Sequence, residues 1–473
     1  MLSWSLVVAS LLCQLANASP AHNYVVHEAR NSEPAGWHKH VNIDRDSLVH
    51  FKIALAQTNL DKGYDELMKV ADPSSELYGK HWSENAVAKF FAPTTESIDK
   101  VHNWLLDAGV TDVSGLSESK GFLKFKASIQ QAEQLFKTEY ALYEHAETNA
   151  IHLASMQYSL PKHIREHVDF VMPTVHFDAQ PKKTRDSAKL KKRLLKPLGM
   201  PNGNNVAKPV IVPIPESQYP SFLPGLNQTI QQLSVAQCGS KITPACLHAL
   251  YGIPYNTRSN AANSYGIVEY SPQAYIQSDL SSFFSNYTFI PPSTAPTLIS
   301  IDGGNVQNSI QSFDYNGESD LDLEYAIALV YPQQVTLYQT GDDVEGASFN
   351  NFLDALDGSY CAGDDPTQDG VYPDPLPGGY TGPETCGGVI RTNVVSTSYG
   401  YNEADLTPAY EQRQCNEYMK LGLLGTSFLY SSGDYGVGGN GGQCIDPVTG
   451  NYTDGTYGKF NPYVYYLVTS GLS

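Results

Sequence analysis

The second half of this chain of 473 residues has almost no histidine and little positive charge. Twelve of the 13 histidines lie before residue 180. Residues 196–473 carry 8 Lys and Arg against 26 Asp and Glu, whereas residues 1–195 carry 22 against 23. Such acidity argues against nucleic acid as a partner. It suits a protein that works in acid, where protonation of carboxylates relieves their mutual repulsion.

A long apolar run that could cross a membrane is missing after the first twenty residues, so no membrane partner is predicted. The opening residues, MLSWSLVVASLLCQLANASP, form a short apolar run that ends in the small-residue pattern Ala16-Asn17-Ala18. A run of this length is typical of a secretory signal peptide and is too short for a spanning helix. We therefore predict a secreted, extracellular protein with a signal peptide over residues 1–18.

The sequence also lacks a CxxC spacing, which would favour zinc, so no metal site is predicted in this chain. Six cysteines follow the signal segment: Cys238, Cys246, Cys361, Cys386, Cys415 and Cys444. An even number of cysteines in an exported protein indicates disulfides. Cys238–Cys246 and Cys361–Cys386 each close a short loop and are the candidate pairs. The connectivity of the other two cysteines stays open.

Three Asn-X-Thr sequences agree with export, because they are acceptors for N-glycosylation. They begin at Asn227, Asn286 and Asn451. Such triplets also occur by chance, so each is a candidate site.

Three segments follow the signal peptide. Residues 19–178 mix helical patterns, TESIDKVHNWLLDAG and SIQQAEQLF, with alternating, strand-like runs such as GFLKFKAS, which predicts a compact α+β domain. Residues 179–207 are basic and rich in Pro, Gly and Asn, and we interpret them either as a solvated linker or as a linker cut by proteases. From residue 208 to 473, short apolar runs alternate with helical stretches such as YEQRQCNEYMKLGLL, which predicts an α/β domain with a parallel sheet. The predicted strands are SYGIVEY, VTLYQTG, VVSTSYG and TSFLYSSG.

The acidic stretch GESDLDLEY stands at the mouth of a predicted helix. Glu318 and Asp322 are four residues apart and therefore share one helix face. Two close carboxyl groups do not ionise independently, so one can hold a proton and later act as a base in acid. Asp320 and Glu324 point elsewhere and are interpreted as solvated. The alternative is an acidic first turn that complements the helix dipole.

Two further observations favour carboxylate chemistry. His248 is the one histidine of the α/β segment, and its position in CLHALYGIP favours helix packing over catalysis. Asp434 follows an apolar run in LYSSGDYGVGGNGG, either as an ordinary turn residue or as a carboxyl group at the end of a strand that faces a cleft.

Together these stretches resemble the sedolisins, the serine-carboxyl peptidases, in particular their secreted tripeptidyl-peptidase type. The resemblance covers nearly the whole chain: DPSSELYGKHWSENAVAKFFAPTTESIDKVHNWLLDAG and YSLPKHIREHVDFVMPTVHF before the linker, then TPACLHALYGIP, GESDLDLEYA, STSYGYNE and LLGTSFLYSSGDYGV. It implies a subtilisin-like catalytic domain, incomplete at its carboxyl end, preceded by an activation prodomain.

The resemblance also implies roles for the acidic residues. Glu318 is the expected general base, Asp322 the carboxylate that orients it, and Asp434 the protonated carboxyl of the oxyanion hole. Peptides or proteins are the implied substrates, the prodomain is an intramolecular inhibitor, and the protein is expected to be a monomer. Calcium is the expected cofactor of full-length relatives, with its site beyond residue 473.

The nucleophilic serine of the family, in a GTSxS-type motif that opens a helix, does not occur here. Gly425-Thr426-Ser427 matches three letters but begins an apolar strand, and Ser470 is followed by three residues only, so both are interpreted as decoys. We therefore expect this chain to be truncated before its nucleophile and inactive as given. Exopeptidase and endopeptidase action both stay open.

Two alternatives remain. The first is a non-catalytic secreted protein, derived from a peptidase, that binds peptides or inhibits a related enzyme. The second is an unrelated α/β hydrolase that uses His248 as its base. Activity of the unaltered chain, and its response to replacement of Ser427, Ser470 or His248 by Ala, separates these hypotheses.

Overall fold

A computed structural model describes most of the chain on either side of the linker. The described residues are 23–30, 33, 37–40, 43–111, 113–116, 121–145, 151–177, 182–183, 238–256, 258–344, 346–361, 369–400, 407–431, 444–445 and 452–453. We refer to residues 23–177 as the first domain and to residues 238–453 as the second domain.

The first domain is an α+β structure built on antiparallel strands. Its strands are β1 (Tyr24–Ala29), β2 (Trp37–His40), β3 (Leu48–Leu55), β4 (Val113–Leu116), β5 (Phe122–Ser128), β6 (Ala141–His145), β7 (Ile151–Ala154), β8 (Gln157–Pro161) and β9 (Val168–Met172). Its helices are α1 (Leu60–Ala71), α2 (Glu84–Phe91), α3 (Thr95–Asp107), α4 (Ile129–Phe136) and α5 (Lys162–Arg165). The main sheet has the order β4-β5-β3-β9, and β2-β6-β7 and β1-β8 form smaller sheets.

Alternation in β3 and β5 separates two faces of the main sheet. Phe51 stands opposite Phe125 and packs in the core of the first domain. Lys52 stands opposite Lys124 on the other face. The helix that follows β5 begins at a capping box in which Ser128 and Gln131 satisfy each other's backbone N–H groups. Helices α3 and α4 form where the sequence predicted them.

The second domain contains a parallel sheet of five strands in the order β12-β13-β11-β14-β16. Its elements are α6 (Pro244–Tyr251), β11 (Tyr265–Tyr270), α7 (Gln277–Tyr287), β12 (Thr297–Ile301), α8 (Phe313–Val330), β13 (Val335–Thr340), α9 (Phe349–Leu356), β14 (Val394–Thr397), β15 (Tyr399–Gly400), α10 (Pro408–Leu423), β16 (Ser427–Tyr430), β17 (Cys444–Ile445) and β18 (Tyr452–Thr453). The predicted α/β class with a parallel sheet is confirmed.

The two domains share a hydrophobic cluster. Ala54, Phe122 and Phe170 of the first domain pack with Phe352 of α9 and Tyr410 of α10. The free face of the main antiparallel sheet is therefore covered by two helices of the second domain. Burial of this apolar surface stabilises the contact between the domains.

A second contact joins helix α1 to helix α10. Gly63 of α1 lies under Met419 of α10, and a Cβ atom at Gly63 would come within 2.4 Å of the Met419 methyl carbon. Close approach of the two helices therefore favours glycine at this position. The backbone N–H of Trp82 also donates to the Leu423 carbonyl at 2.8 Å.

Across the described residues, no helix combines the length and the apolar character that a bilayer crossing requires.

Candidate active site

Helix α8 begins at the carboxyl edge of the parallel sheet. The Asn316 side chain accepts a hydrogen bond from the Ser312 N–H at 3.0 Å and donates to the Ala274 carbonyl at 2.7 Å. Ala274 belongs to the loop that follows β11, so this amide ties the start of the helix to the end of a central strand. Functional residues of parallel sheets gather at this edge.

Glu318 and Asp322 lie one turn apart on α8. Glu318 is 4% exposed and Asp322 is half-buried. The Ser398 hydroxyl, one residue beyond β14, donates to Oδ2 of Asp322 at 2.5 Å. The two carboxyl groups of the helix therefore stand next to the carboxyl end of a sheet strand.

A third carboxyl group, Glu269 of β11, belongs to the same site. It is fully buried, and the Tyr399 hydroxyl donates to its Oε2 atom at 2.8 Å. Burial raises the pKa of Glu269 well above its usual range, and the negative charge of Asp322 and then of Glu318 raises it further. Burial and the neighbouring carboxylates therefore favour the protonated form of Glu269.

Glu269 was not among the predicted site residues. The stretch SYGIVEY predicts an apolar strand, and its single glutamate does not disturb that pattern. A carboxyl group inside a strand that is buried on both faces is costly unless it is partnered or protonated. That cost is the signal that could have identified it.

The prediction that Asp320 is solvated is wrong, and Glu324 is half-buried rather than fully solvated. Asp320 is 9% exposed, and its Oδ1 atom accepts a hydrogen bond from the Ile276 N–H at 2.7 Å. Burial raises the pKa of both carboxyl groups to about 7, and the charge of Asp279 on helix α7 adds to the effect. The loop and helix that follow β11 pack on this side of α8 and exclude water from it.

Asp434 and Ser470 lie outside the described residues. Ser427 lies at the start of β16, where it pairs with Val394, the first residue of β14, and donates its N–H to the Asn393 carbonyl at 2.8 Å. It is therefore at the amino edge of the sheet. Ser398 and its contact with Asp322 are at the opposite edge.

His248 is a packing residue of helix α6. It is 1% exposed, its Nδ1 atom lies 2.9 Å from the Ile253 carbonyl oxygen, and its ring stacks on Tyr255 at a centroid distance of 3.9 Å. Burial lowers its pKa. These contacts agree with the packing role.

The structure joins both pairs of cysteines that were expected to form disulfides, Cys238 to Cys246 and Cys361 to Cys386. Cys415 is half-buried on α10 and forms no disulfide with another described cysteine. The side chain of Cys444 is outside the described part, so its pairing stays open.

The glycosylation candidates remain predictions. Asn286 is exposed in the last turn of α7, and its side-chain amide donates to the Ser282 carbonyl at 2.8 Å. Asn227 and Asn451 are outside the described residues.

Among the described residues, one group has the spacing of metal ligands. Ligand atoms of Asp354, Cys361 and Glu384 lie within 4.8 Å of one another. Cys361 is bonded to Cys386, so its sulfur is not available as a thiolate. The two remaining carboxyl groups alone do not make a metal site.

A short antiparallel ladder crosses the site. The two residues of β10 (Lys182–Lys183) pair with Gly400 and Tyr399 of β15. Strand β15 follows Ser398 directly, so these two residues of β10 lie in extended form near the carboxyl cluster.

Comparison with known proteins agrees with this arrangement. Residues 35–177 match the family model described as the Pro-kumamolisin activation domain. The chain is 39% identical over 450 residues to tripeptidyl-peptidase SED1 of Arthroderma otae, which covers 90% of this chain and 64% of that protein. It is 37% identical over 437 residues to tripeptidyl-peptidase sed1 of Aspergillus fumigatus, with the same coverage. Aorsin of Aspergillus oryzae is 37% identical over 459 residues, covering 93% of this chain and 66% of the relative.

The matched activation domain, followed by a parallel α/β domain, places the chain in a class of proteins made as precursors with an activation domain. Within that class, the chain belongs to the sedolisin family. It spans slightly less than two thirds of the length of the relatives named above.

Proposed function

We propose that the chain derives from the precursor of a secreted serine-carboxyl peptidase that acts in acid, either as a tripeptidyl-peptidase or as an endopeptidase, with a subtilisin-like second domain. One observation carries the proposal: Glu318 and Asp322 stand beside the fully buried Glu269, whose pKa is raised, at the carboxyl edge of a parallel sheet. Carboxyl groups that share protons supply a base that works below neutral pH.

In this proposal Glu318 is the general base and Asp322 orients it. Ser398 holds one oxygen of Asp322, which restricts the rotation of that carboxyl group. Asp434 is the carboxyl of the oxyanion hole, a role that requires it to be protonated in order to donate a hydrogen bond. Acidic conditions favour that state.

The first domain acts as an inhibitor of the second domain. The pairing of Lys182 and Lys183 with β15 supports this role, because an extended segment that adds to a strand edge resembles a bound peptide. The linker over residues 179–207 is the proposed processing site. Cleavage there frees the strand edge for a peptide substrate.

We propose neither Ser427 nor Ser470 as a nucleophile, and we expect no peptidase activity from residues 1–473 by themselves. Ser427 is disfavoured because it starts a strand at the amino edge of the sheet. Calcium binding is likewise an expectation from the family resemblance, to be tested in a protein that carries the remaining third of its relatives' length.

The direct test is a chimera that joins residues 1–460 of this chain to the downstream part of the Arthroderma otae relative. After acid treatment, the chimera is expected to cleave peptides at pH 4. Replacement of Glu318 by Gln is expected to lower kcat by about 10²–10⁴-fold, the usual contribution of a general base. Glu324→Gln, on the same helix, is the matched control and keeps most activity. Equal activity of the Glu318→Gln chimera and its parent contradicts the proposed role.

The alternative, a protein that binds peptides without cutting them, is favoured by the same β10–β15 pairing. Fluorescence polarisation with a labelled peptide measures binding, and an internally quenched peptide measures cleavage. If the unaltered chain cleaves the peptide and Ser427→Ala abolishes cleavage, two predictions are refuted: that the chain is inactive and that Ser427 is not the nucleophile.

A further inference from the structure

His176 is a residue of the first domain that the second domain buries. It is 1% exposed, and its Nδ1 atom lies 3.1 Å from the Thr407 hydroxyl oxygen. Its ring packs between Phe170 and Tyr410, with centroid distances of 5.6 Å to each. Because Thr407 and Tyr410 belong to the second domain, separation of the domains exposes this imidazole to water.

The surroundings of His176 disfavour a positive charge. Thr407 precedes the first turn of helix α10, where the helix dipole is positive. The guanidinium of Arg30, which donates a hydrogen bond to the Val175 carbonyl, is a positive charge nearby and also disfavours a charged His176. Among the described residues, Nε2 of His176 has no hydrogen-bond partner. A charged imidazole has two donors to satisfy, so this site favours the neutral form.

One carboxyl group, Glu28 of β1, faces the imidazole. Its Oε2 atom lies 3.9 Å from Nε2 of His176 and accepts a hydrogen bond from the Tyr158 hydroxyl at 2.5 Å. Burial raises the pKa of Glu28 to about 7, although the Tyr158 and Thr407 hydroxyls oppose the shift. Glu28 therefore takes up a proton in mild acid and ceases to be a counter-ion for His176.

We propose that the contact between His176 and Thr407 is an acid-sensitive joint that holds the first domain on the second domain at neutral pH and releases it in acid. This inference rests on the proposed inhibitory role of the first domain. It adds which contact responds to acid and over which range of pH.

The sign of the effect follows from the two protonation equilibria. Burial lowers the pKa of His176 from 6.5 to about 3, so the contact is fully present above pH 6.5 and weakens as the pH falls, by up to tenfold per unit. Glu28 acts in the opposite direction: its raised pKa strengthens the contact as the pH falls from about 7 to 4.5. The two effects offset each other above about pH 4.5, and below that pH His176 is unopposed.

Other titratable groups near His176 also change how the stability of this region depends on pH. Burial also lowers the pKa of His27 on β1 and of His167 just before β9, but the neighbours of both rings belong to the first domain, so these two histidines lower the stability of that domain in acid rather than act at the contact. Asp169 of β9 forms an ion pair with Arg413 of α10 at 2.6 Å, and burial raises its pKa. Asp169, like Glu28, therefore strengthens the contact between the domains as the pH falls. This effect ends at the pH at which Asp169 is protonated both in the joined and in the separated domains.

The test follows the separation of the domains in the whole chain. A recognition sequence for a site-specific protease, inserted within residues 197–204, allows the linker to be cut at pH 7.5. The fraction of the first domain that stays bound is then measured by size-exclusion chromatography from pH 7.5 to pH 3. We expect release with a midpoint below about pH 4.5.

His176→Gln is expected to move this midpoint at least one pH unit lower, with unchanged retention at pH 7.5. Glu28→Gln removes the opposing equilibrium and moves the midpoint upward, towards pH 6. His50→Gln, at an exposed histidine of strand β3, is the matched control and leaves the dependence of retention on pH unchanged. The proposal is overturned if His176→Gln has the wild-type curve, or if it weakens retention equally at every pH, as loss of a purely structural contact would. Because no activity is measured, failure here is distinct from failure of the catalytic proposal.

Discussion

The two domains bury opposite kinds of titratable group. The first domain contains three histidines whose pKa values are lowered by burial, His27, His167 and His176. The second domain buries a set of carboxyl groups with raised pKa values, including Glu269, Asp302, Asp320, Glu324 and Glu417. Acid therefore removes stability from the histidine-rich domain and adds stability to the carboxyl-rich domain.

This difference explains the uneven composition of the chain. If the first domain inhibits the second as proposed, the same drop in pH loosens the first domain and strengthens the second. Glu28 and Asp169 are exceptions within the first domain, and both lie at the contact between the domains. These two carboxyl groups lower the pH at which the contact between the domains weakens. The difference between the histidines of the first domain and the carboxyl groups of the second remains.

The largest expected effect is on the contact between the domains. Arg413 is 3% exposed on the second domain, pairs with Asp169 at 2.6 Å and donates to the Leu55 carbonyl at 3.1 Å. Arg413→Ala leaves Asp169 without its partner and is expected to weaken domain association by about 3–5 kcal/mol. The nicked chain described above, assayed at pH 7.5, measures this effect. Unchanged retention would contradict the importance of the pair.

The next effect concerns the stability of the second domain. Burial raises the pKa of Asp302 from 3.8 to about 7, so its contribution to stability is present below pH 3.8 and is lost as the pH rises to 7. Three pH units correspond to a loss of up to about 4 kcal/mol. Asp302→Asn keeps the acceptor for the Thr385 N–H and is expected to flatten this dependence. Urea unfolding at pH 4 and pH 7 checks it, and equal slopes for variant and wild type would refute the assignment.

A smaller effect is expected inside the carboxyl cluster. Ser398→Ala removes the hydrogen bond to Asp322, which is worth about 1.5–3 kcal/mol for a charged acceptor and less if water replaces the hydroxyl. In the chimera, we expect the pH optimum to shift while the binding of peptide is retained. A variant with the parental pH profile would show that Ser398 does not act through Asp322.

The smallest effect is expected at an exposed ion pair between the same two domains. Arg391 contacts Glu84 at 2.6 Å, but the Glu84 side chain is 63% exposed. Solvent and salt screen such pairs, so Glu84→Gln is expected to change domain association by less than about 1 kcal/mol. Comparison of the more buried Arg413–Asp169 pair with the exposed Arg391–Glu84 pair thus tests whether an ion pair must be buried in order to hold the domains together. A larger effect at Glu84 than at Arg413 would reverse that conclusion.

The sequence predicts much of the fold, because periodicity and capping signals are local. Helices α3, α4 and α10 and strands β11, β13, β14 and β16 lie in the stretches where apolar spacing indicated them. The position of Glu318 and Asp322 on one helix also followed from their spacing. The contact of Asp322 with Ser398, 76 residues later, depends on sheet order and could not be derived locally.

The error at Asp320 and Glu324 has the same origin. Helical spacing tells which residues share a face but does not tell what packs against it. Residues 276–287, the end of a loop and helix α7, cover that side of α8, so that Asp320 is buried and Glu324 is half-buried. Glu269 was missed because a single polar residue does not disturb the pattern of an apolar strand.

The opposite acid response of the two domains is tested most directly by amide hydrogen exchange across the whole chain, compared at pH 7 and pH 4 after correction for intrinsic rates. Protection of β9 and of residues 174–177 in the first domain is expected to fall. Over the same range, protection of β11 and α8 in the second domain is expected to rise. A parallel loss or a parallel gain of protection in both domains would contradict the account.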